Sequence, residues 1–387
     1  MGFDTGGSPI NETPIASLAV LFGDLEDPRH ALGRRHQLLD IIAIAICATL
    51  SGADTWVDVA AYGRAKETWL RTFLQLPHGI PSHDTFARVF AALDGEQFQA
   101  CFMQWVRAVV KVLPGQVIAI DGKTACASHD GPDPSIATHM VSAWATANGV
   151  VLGQVAVNEK SNEITAIPEL LYLLDLKGCL VTIDALGCQK EIAEQIAAQE
   201  GSYLLAVKNN QPHLHEDIAH LFDLGLATGF RNLTYDYAVE ESVGHGRYER
   251  RSCWTLADPG WLTYLRKRSD WPTMRTIALV RSERQVGDEK TICERYYISN
   301  VVHQAGRLLA ASRAHWQIEN RLHWCLDVAF DEDDSRVRRG YGQANLIVLR
   351  QLALTLLRRD TTYKAGIKAK RLRAAWDHDY LLKVLTS

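Results

Sequence analysis

The feature that most constrains the fold is a change in the spacing of apolar residues at Pro114-Gly115. From residue 14 to residue 113, apolar residues recur at helical spacing almost without interruption, which predicts an all-α unit. Beyond the Pro-Gly pair the chain carries short apolar runs that predict strands. The sequence therefore predicts a helical unit followed by an α/β unit, and 387 residues are enough for two or three such units.

The predicted α/β unit opens with three strands, of which the second and third are joined by Asn148-Gly149, a dipeptide typical of tight hairpin turns. Helix and strand patterns then alternate up to YLLAV at 203–207, so the predicted order is β-β-β-α-β-α-β. This order favours a mixed sheet with a parallel part. Alternating segments between residues 209 and 300 predict a β-rich insertion, and from Gln304 a long amphipathic helix returns.

Two of the predicted strands end in aspartate, Asp121 in VIAID and Asp184 in LVTID. Because sites in α/β proteins collect at the carboxyl ends of strands, we expect these carboxylates to lie close together. Without His or Cys beside them, they favour a hard cation, Mg²⁺ or Mn²⁺. Two-metal phosphoryl transfer needs a third carboxylate from another element, and Glu319 on the long helix is the best candidate. The alternative for Glu319 is a surface ion pair with Arg313 or Arg321.

Three other motifs fail on spacing or lack a ligand. DGKT resembles the end of a phosphate-binding P-loop, but Val117 stands where that loop requires glycine, so no nucleotide cofactor is predicted. The acidic run DEDD at 331–334 lacks the glycine of a calcium loop and is interpreted as a solvated turn. His213 and His215 have no evident third ligand for a metal ion and are interpreted as polar surface.

Composition restricts location and partners. The chain has 47% hydrophobic residues and a net charge of −4, and its longest apolar run, at 38–53, is too short to cross a bilayer, so no membrane partner is predicted. No secretory signal opens the sequence, and eight Cys without CxxC spacing are typical of a cytoplasmic protein. From Arg336 to Arg373, eleven Lys or Arg accompany one acid, so this end is a candidate phosphate-binding surface.

Five segments carry a family resemblance: VIAIDGKT, VTIDALGCQKEIA, YLLAVKNNQP, GHGRYERR and HWQIENRLHWCLDVAFDEDDSRVRR. In this order, over residues 20–357, the chain resembles the ISAs-type insertion-sequence transposases and the H-repeat-associated proteins, which are DDE transposases. The resemblance implies a ribonuclease H-like mixed sheet with helices on both faces. It also implies that Asp121, Asp184 and Glu319 form a catalytic triad that binds two Mg²⁺ ions, for which Mn²⁺ can substitute.

The resemblance and the changes of pattern together predict four parts of the chain. Residues 1–113 are expected to form a helical domain that binds the DNA end, and residues 114–208 with 301–357 the catalytic core. Residues 209–300 are the predicted β-rich insertion, which explains the long separation of Asp184 from Glu319. Residues 358–387 are expected to form a basic C-terminal tail.

DNA contacts are assigned from the same segments. A Tyr-x2-Arg-x3-Glu-x6-Lys signature of related transposases has Ser312, His315 and Leu326 at the matching positions here, and HWxIENxxHW takes its place. The predicted DNA-binding residues are Lys208, Asn209, Gln211, Arg247, Arg251, His315, Asn320, His323 and Arg336. The alternative for Asn209 is ordinary turn chemistry, and the alternative for Arg247 and Arg251 is an exposed strand face. Trp316 and Trp324 could stack on an unpaired base, but core packing is expected for both.

The predicted function is Mg²⁺-dependent end cleavage and strand transfer of an insertion sequence. Its partners are expected to be terminal inverted repeats and target DNA, with a homodimer formed on paired ends. One alternative is a ribonuclease H-like nuclease or resolvase that cuts without joining. The other is an inactive DNA-binding relic, against which the presence of all three carboxylates argues.

Overall fold

The computed structural model describes residues 14–110, 113–124, 139–157, 163–231, 233–244 and 246–386. These residues form two compact units. One contains residues 14–109 and 325–386, and the other contains the described residues between 110 and 324. The first change of unit falls near the predicted one at Pro114-Gly115. The second change of unit falls after Trp324. The predicted catalytic core included residues 301–357, but residues 325–357 pack among helices of the first unit.

The helices and strands follow one another along the chain as α1 (Pro14–Phe22), α2 (Leu38–Leu50), α3 (Trp56–Leu70), α4 (His83–Ala92), α5 (Gly95–Val109), β1 (Val117–Thr124), β2 (His139–Ala145), β3 (Val150–Val157), α6 (Glu163–Tyr172), β4 (Leu180–Ile183), α7 (Lys190–Ala198), β5 (Ser202–Val207), α8 (Pro212–Thr228), β6 (Tyr235–Gly244), β7 (Arg247–Leu256), α9 (Pro259–Leu262), β8 (Thr276–Val286), β9 (Glu289–Ser299), α10 (Ala305–His315), α11 (Trp324–Phe330), α12 (Gly342–Arg359), α13 (Ile367–Trp376) and α14 (His378–Leu385).

The first unit is helical, and its most buried helices are α2 and α12. The apolar run at 38–53 forms α2, in which every residue from Asp40 to Leu50 is buried. Burial of Asp40 is compensated because its Oδ2 accepts a hydrogen bond from the backbone nitrogen of Leu76 at 3.0 Å. No helix in the described ranges is both long enough and apolar enough to span a membrane.

The basic C-terminal segment is not an extended tail, which corrects the expectation for residues 358–387. It forms the end of α12 and the helices α13 and α14, and apolar residues of α14 are buried. Arg350, Lys370 and Arg371 are also buried, so these three of the eleven basic residues are withdrawn from the predicted phosphate-binding surface. A count of basic residues in the sequence could not show this burial, because a basic side chain can be buried when carbonyl and carboxylate groups surround it.

The second unit is built on a nine-stranded mixed sheet with strand order β3-β2-β1-β4-β5-β9-β8-β7-β6. Strands β1, β4 and β5 run parallel, and the other neighbours are antiparallel. The predicted order β-β-β-α-β-α-β and the hairpin turn at Asn148-Gly149 are therefore confirmed. Helix α6 contacts β2 and β3, α7 contacts β5, and α10 contacts β1 and β4 to β8.

The segment predicted as a β-rich insertion begins with a helix, α8, and then supplies β6 to β9. These strands extend the same sheet, because β9 pairs with β5 and Leu204 lies opposite Ser299. Without β9, the edge of β5 would expose unpaired backbone groups. The buried cluster beneath α10 combines Leu180 and Leu204 with residues of β7 to β9, so the segment belongs to the core of this unit.

Candidate active site

Asp121 and Asp184 lie at equivalent points of adjacent parallel strands. The residues before them, Ile120 and Ile183, are register partners of β1 and β4, and both are buried. Each aspartate is partly buried. The Oδ1 of Asp184 accepts a hydrogen bond from the backbone nitrogen of Leu186 at 3.0 Å, which holds the turn after β4. The prediction that Asp121 ends its strand is wrong, because β1 continues to Thr124 by pairing with β2. The parallel register nevertheless brings Asp121 next to Asp184, which follows the last residue of β4.

Glu319 lies in a π-helical segment, Ile318–His323, between α10 and α11. The side chains of Ile318 and Leu322 are fully buried, and the segment contacts β1, whereas Glu319 itself is exposed. π-Helical turns occur frequently at functional sites. Sequence periodicity predicted one continuous α-helix here and had no signal for the changed hydrogen bonding.

The electrostatics of Asp121 show that the acids are close to one another. Burial is the largest influence and raises the pKa of Asp121 to about 7, although a hydrogen bond from Gly122 favours the ionised form. The charges of Asp184, Glu319 and Glu163 raise it in addition. Negative charge is therefore unfavourable at this edge of the sheet unless a cation is present.

The pKa of Asp184 is also raised, again mainly by burial. Glu163 has the largest influence among the charged neighbours of Asp184, and Lys208 acts in the opposite direction. The carboxylate of Glu163 and the ammonium group of Lys208 are thus close enough to Asp184 to affect its pKa.

Glu163, the first residue of α6, is the functional candidate that sequence reasoning missed. Its Oε1 lies 2.8 Å from Nε2 of His139, and Nδ1 of His139 lies 2.7 Å from Oγ1 of Thr124. Both side chains lie over Gly122, where an added Cβ would be 2.4 Å from Oε1 of Glu163 and 2.5 Å from Nε2 of His139. The available signal was the glycine, because glycine within a strand often marks a close approach.

The two histidines predicted to contact DNA lie on either side of Glu319. Nδ1 of His323 is 3.7 Å from Oδ2 of Asp121, so this imidazole borders the acidic group. Nδ1 of His315 is 3.1 Å from Oγ1 of Thr182 in β4. Burial lowers the pKa of His315 to about 4, so its ring is neutral at neutral pH. This favours His315 as a link between helix and sheet over a charged phosphate contact.

The turn after β5 contains three of the predicted DNA-binding residues. Lys208 and Asn209 are exposed, and Lys208 is close enough to Asp184 to affect its pKa. Gln211 instead donates a hydrogen bond from Nε2 to the backbone oxygen of Cys188 at 3.0 Å. Gln211 therefore supports the turn that follows Asp184, which is a structural role in this state.

A cleft of about 500 Å³ opens between β7 to β9 and the helical segment that carries Glu319. Arg251 and Asn320, both predicted DNA contacts, line it. Nη2 of Arg251 is 3.1 Å from Oε2 of Glu249, and Nε of Arg247 is 2.9 Å from Oε1 of the same carboxylate. One glutamate thus holds both arginines that were predicted to neutralise phosphates.

The expectation that Trp316 and Trp324 are core residues is wrong. Their exposed fractions are 39% and 62%, and Trp316 lines the cleft. The guanidinium of Arg295 lies over the ring of Trp316, 4.8 Å from its centroid. Arg336 belongs to the helical unit, where it is exposed between α11 and α12.

The acidic group has the donor chemistry of a divalent-cation site without a preformed cage. Among the residues that the structure describes, no three His, Cys, Asp or Glu side chains already stand in an arrangement that holds a metal ion. The donors nevertheless suit Mg²⁺ or Mn²⁺, because they are carboxylate oxygens, and the charges of Asp184 and Glu319 raise the pKa of Asp121. The catalytic and metal-binding roles of Asp121, Asp184 and Glu319 stay predictions.

The fold and site define an α/β protein with an acidic centre where Asp121 of β1 lies next to Asp184 at the end of β4. Residues 113–356 match the family described as Transposase DDE domain, and residues 20–106 match the one described as DDE_Tnp_1-associated. The chain belongs to the DDE transposase family, which confirms the resemblance seen in the sequence.

Two relatives align over nearly their whole length. YncI of Escherichia coli O157:H7 is 40% identical and aligns over 96% of this chain and 95% of its own. The H repeat-associated protein YhhI of Escherichia coli K12 is 39% identical over 93% of this chain and 95% of its own. A cryo-EM structure of a piggyBac transposase synaptic complex with hairpin DNA covers 99% of this chain and 80% of that one at 10% identity. Its TM-score of 0.44 is too low to establish a shared fold.

Proposed function

We propose that the protein is a DNA transposase that cuts the ends of an insertion sequence and joins them to target DNA, with Asp121, Asp184 and Glu319 as its catalytic triad. The observation that carries the proposal is the parallel register of β1 and β4, in which the residues before Asp121 and Asp184 are partners. The charge of Glu319 also acts on Asp121. Membership of the DDE transposase family supports the reaction class. The three antiparallel strands followed by two parallel ones support a ribonuclease H-like core.

Two Mg²⁺ ions, or Mn²⁺ in their place, would supply the charge that activates an attacking oxygen and stabilises the leaving oxygen of a phosphodiester. The carboxylates of the triad would hold them. His323 borders Asp121 and Lys208 borders Asp184, so both are placed to contact the backbone of a DNA strand bound at this edge. Thr182 and His315 would keep the Glu319 segment aligned with β4.

We infer that DNA also lies along the cleft beside Glu319. Arg251 and Asn320 line this cleft, and the partly exposed Trp316 offers an aromatic surface for stacking. Phosphate groups would compete with Glu249 for Arg247 and Arg251. Terminal inverted repeats and target DNA are the proposed partners, and a homodimer would pair two ends. The cytoplasmic location stays a prediction.

The test uses labelled element ends, unlabelled target DNA and Mg²⁺, with cleavage and joining measured separately. Asp121→Asn, Asp184→Asn and Glu319→Gln are each expected to slow cleavage by about 100-fold or more, because each removes a group that holds the charge at the reacting phosphate. The matched control is Asp288→Asn, which changes an exposed aspartate in the turn between β8 and β9. DNA binding without divalent cations is measured for every variant.

Three outcomes would contradict the proposal. Wild-type cleavage rates in any one of the three variants would refute the triad. Cleavage without joined products would favour the nuclease or resolvase. Specific DNA binding by the wild-type protein with neither cleavage nor joining in Mg²⁺ or Mn²⁺ would favour the inactive relic.

A further inference from the structure

Glu163 and His139 form a side-chain pair that the proposed triad does not use. Glu163 begins α6, His139 begins β2, and both are about four-fifths buried, with side-chain exposures of 21% each. Nε2 of His139 lies 2.8 Å from Oε1 of Glu163, and Nδ1 of the same ring lies 2.7 Å from Oγ1 of Thr124, so the imidazole lies between the carboxylate and β1. The glutamate is thus oriented by a second residue, as metal-binding carboxylates commonly are.

Gly122 determines where this carboxylate lies. The glycine follows Asp121 in β1, and a methyl group on its Cα would overlap Oε1 and Cδ of Glu163 at 2.4 and 2.8 Å. The carboxylate therefore rests against the backbone of the strand that carries Asp121.

We propose that Glu163, held over Gly122 by His139, is a fourth carboxylate ligand of the divalent-cation centre. The inference rests on the proposed function, since it assumes that Asp121 and Asp184 bind the cations. It is supported by the position of the Glu163 carboxylate against the backbone of Gly122, the residue that directly follows Asp121. Four carboxylates also carry the charge that two divalent cations would neutralise.

Mn²⁺ affinity of the full-length protein without DNA is the test, measured from the EPR signal of free Mn²⁺ during titration. Glu163→Gln keeps the shape of the side chain and removes its charge, and it is expected to weaken Mn²⁺ binding by about tenfold or more. The matched control is Glu169→Gln, which makes the same change at another position of α6, outside the acidic group, and is expected to leave the affinity within about twofold.

A second variant keeps the inference testable if Glu163→Gln does not fold. Gly122→Ala would push Glu163 and His139 away from the strand and is expected to weaken Mn²⁺ binding without removing any charge. Its control is Gly244→Ala, because a Cβ added at Gly244 meets no atom within 4 Å. All variants are first compared with wild type by circular dichroism and by cooperative melting in EDTA.

Asp121→Asn separates failure of this inference from failure of the proposed function. If Asp121→Asn loses Mn²⁺ affinity while Glu163→Gln binds as wild type does, Glu163 is only the ion-pair partner of His139 and the inference is overturned. If both variants bind Mn²⁺ as wild type does, the metal centre of the proposed function is overturned with it. Loss of affinity in both, with both controls unchanged, supports the four-carboxylate centre.

Discussion

Replacing Asp121 by asparagine is expected to stabilise the protein when no divalent cation is present. The carboxylate has an ordinary pKa of 3.8, and in the folded protein this pKa is about 7, mainly because the group is buried and also because other acids lie nearby. Asparagine has a similar shape and cannot ionise. The substitution therefore removes the cost of holding a negative charge at this position.

The sign and size of the effect follow from the two pKa values. Between about pH 4 and pH 7 the folded protein keeps a proton on Asp121 that the unfolded chain has released, so stability falls as pH rises through this window and is level above it. A rise of about three pKa units, at about 1.4 kcal/mol per unit, gives an upper limit of about 4 kcal/mol. The advantage of Asp121→Asn should therefore be close to zero near pH 4 and largest near pH 8.

Urea denaturation in EDTA at several pH values measures this difference. Asp288→Asn is the control, because Asp288 is exposed in the β8–β9 turn, and its effect should not change over the same pH range. Adding Mn²⁺ at 100 times the Kd should stabilise the wild-type protein by about 2.7 kcal/mol and the variant by less. A variant that is no more stable than wild type at pH 8, or equally more stable at pH 4.5 and pH 8, would refute the reasoning.

Three further predictions concern other parts of the molecule. Arg371→Ala removes a buried guanidinium whose Nη2 is 2.7 Å from a carboxylate oxygen of Asp54, and it is expected to lower the free energy of unfolding by about 3 kcal/mol or more in urea; Lys368→Ala, on the same helix but not buried, should change it by less than about 0.5 kcal/mol. Thr182→Val removes the partner of His315 and should slow end cleavage by about tenfold with unchanged DNA affinity; equal losses in both would contradict a positioning role. Arg251→Ala should reduce the salt dependence of DNA affinity, measured by fluorescence anisotropy, by about one unit of slope, and an unchanged slope would place this arginine off the DNA.

The order of helices and strands up to β5 could be predicted because its signals are local. Apolar runs bounded by Pro114-Gly115 and Asn148-Gly149 mark the first strands, and Asp184 directly follows β4 as predicted, whereas β1 continues past Asp121 to Thr124. The parallel register of β1 and β4 still places the two aspartates next to each other, because Ile120 and Ile183 are partners. These inferences need only the period of the pattern and the chirality of strand connections.

The pairing of β9 with β5 could not be predicted, because it joins residues 202–207 to residues 289–299 across intervening helices and three strands. A β-rich segment fits an independent domain and an extended sheet equally well at the level of sequence. The helices α13 and α14 were missed for a related reason. Their basic residues suggested a solvated tail, whereas burial of Lys370 and Arg371 depends on carbonyl groups supplied by other elements.

The predicted site was incomplete for a geometric reason. Asp121, Asp184 and Glu319 were found from strand ends and a helix stripe, but Glu163 follows a hairpin and opens an ordinary amphipathic helix. Its sequence neighbourhood predicts nothing about metal binding. Only the glycine after Asp121 indicated that another group approaches the strand there, and a glycine alone does not say which group.

Repulsion among the acids and the burial of Asp121 both indicate that packing of the surrounding core keeps the acids together. Carboxylates of like charge near Asp121 would move apart if the chain allowed it, and here each is held by a separate element: β1, the end of β4, α6 and the π-helical segment. These elements are packed through fully buried residues such as Ile120, Ile318 and Leu322, so relaxing the repulsion would expose apolar surface. The core therefore supplies the free energy that keeps the acids together, and a divalent cation would recover part of it on binding. A site of this kind is expected to be less stable than its asparagine variants without metal, and bound metal is expected to reduce that difference.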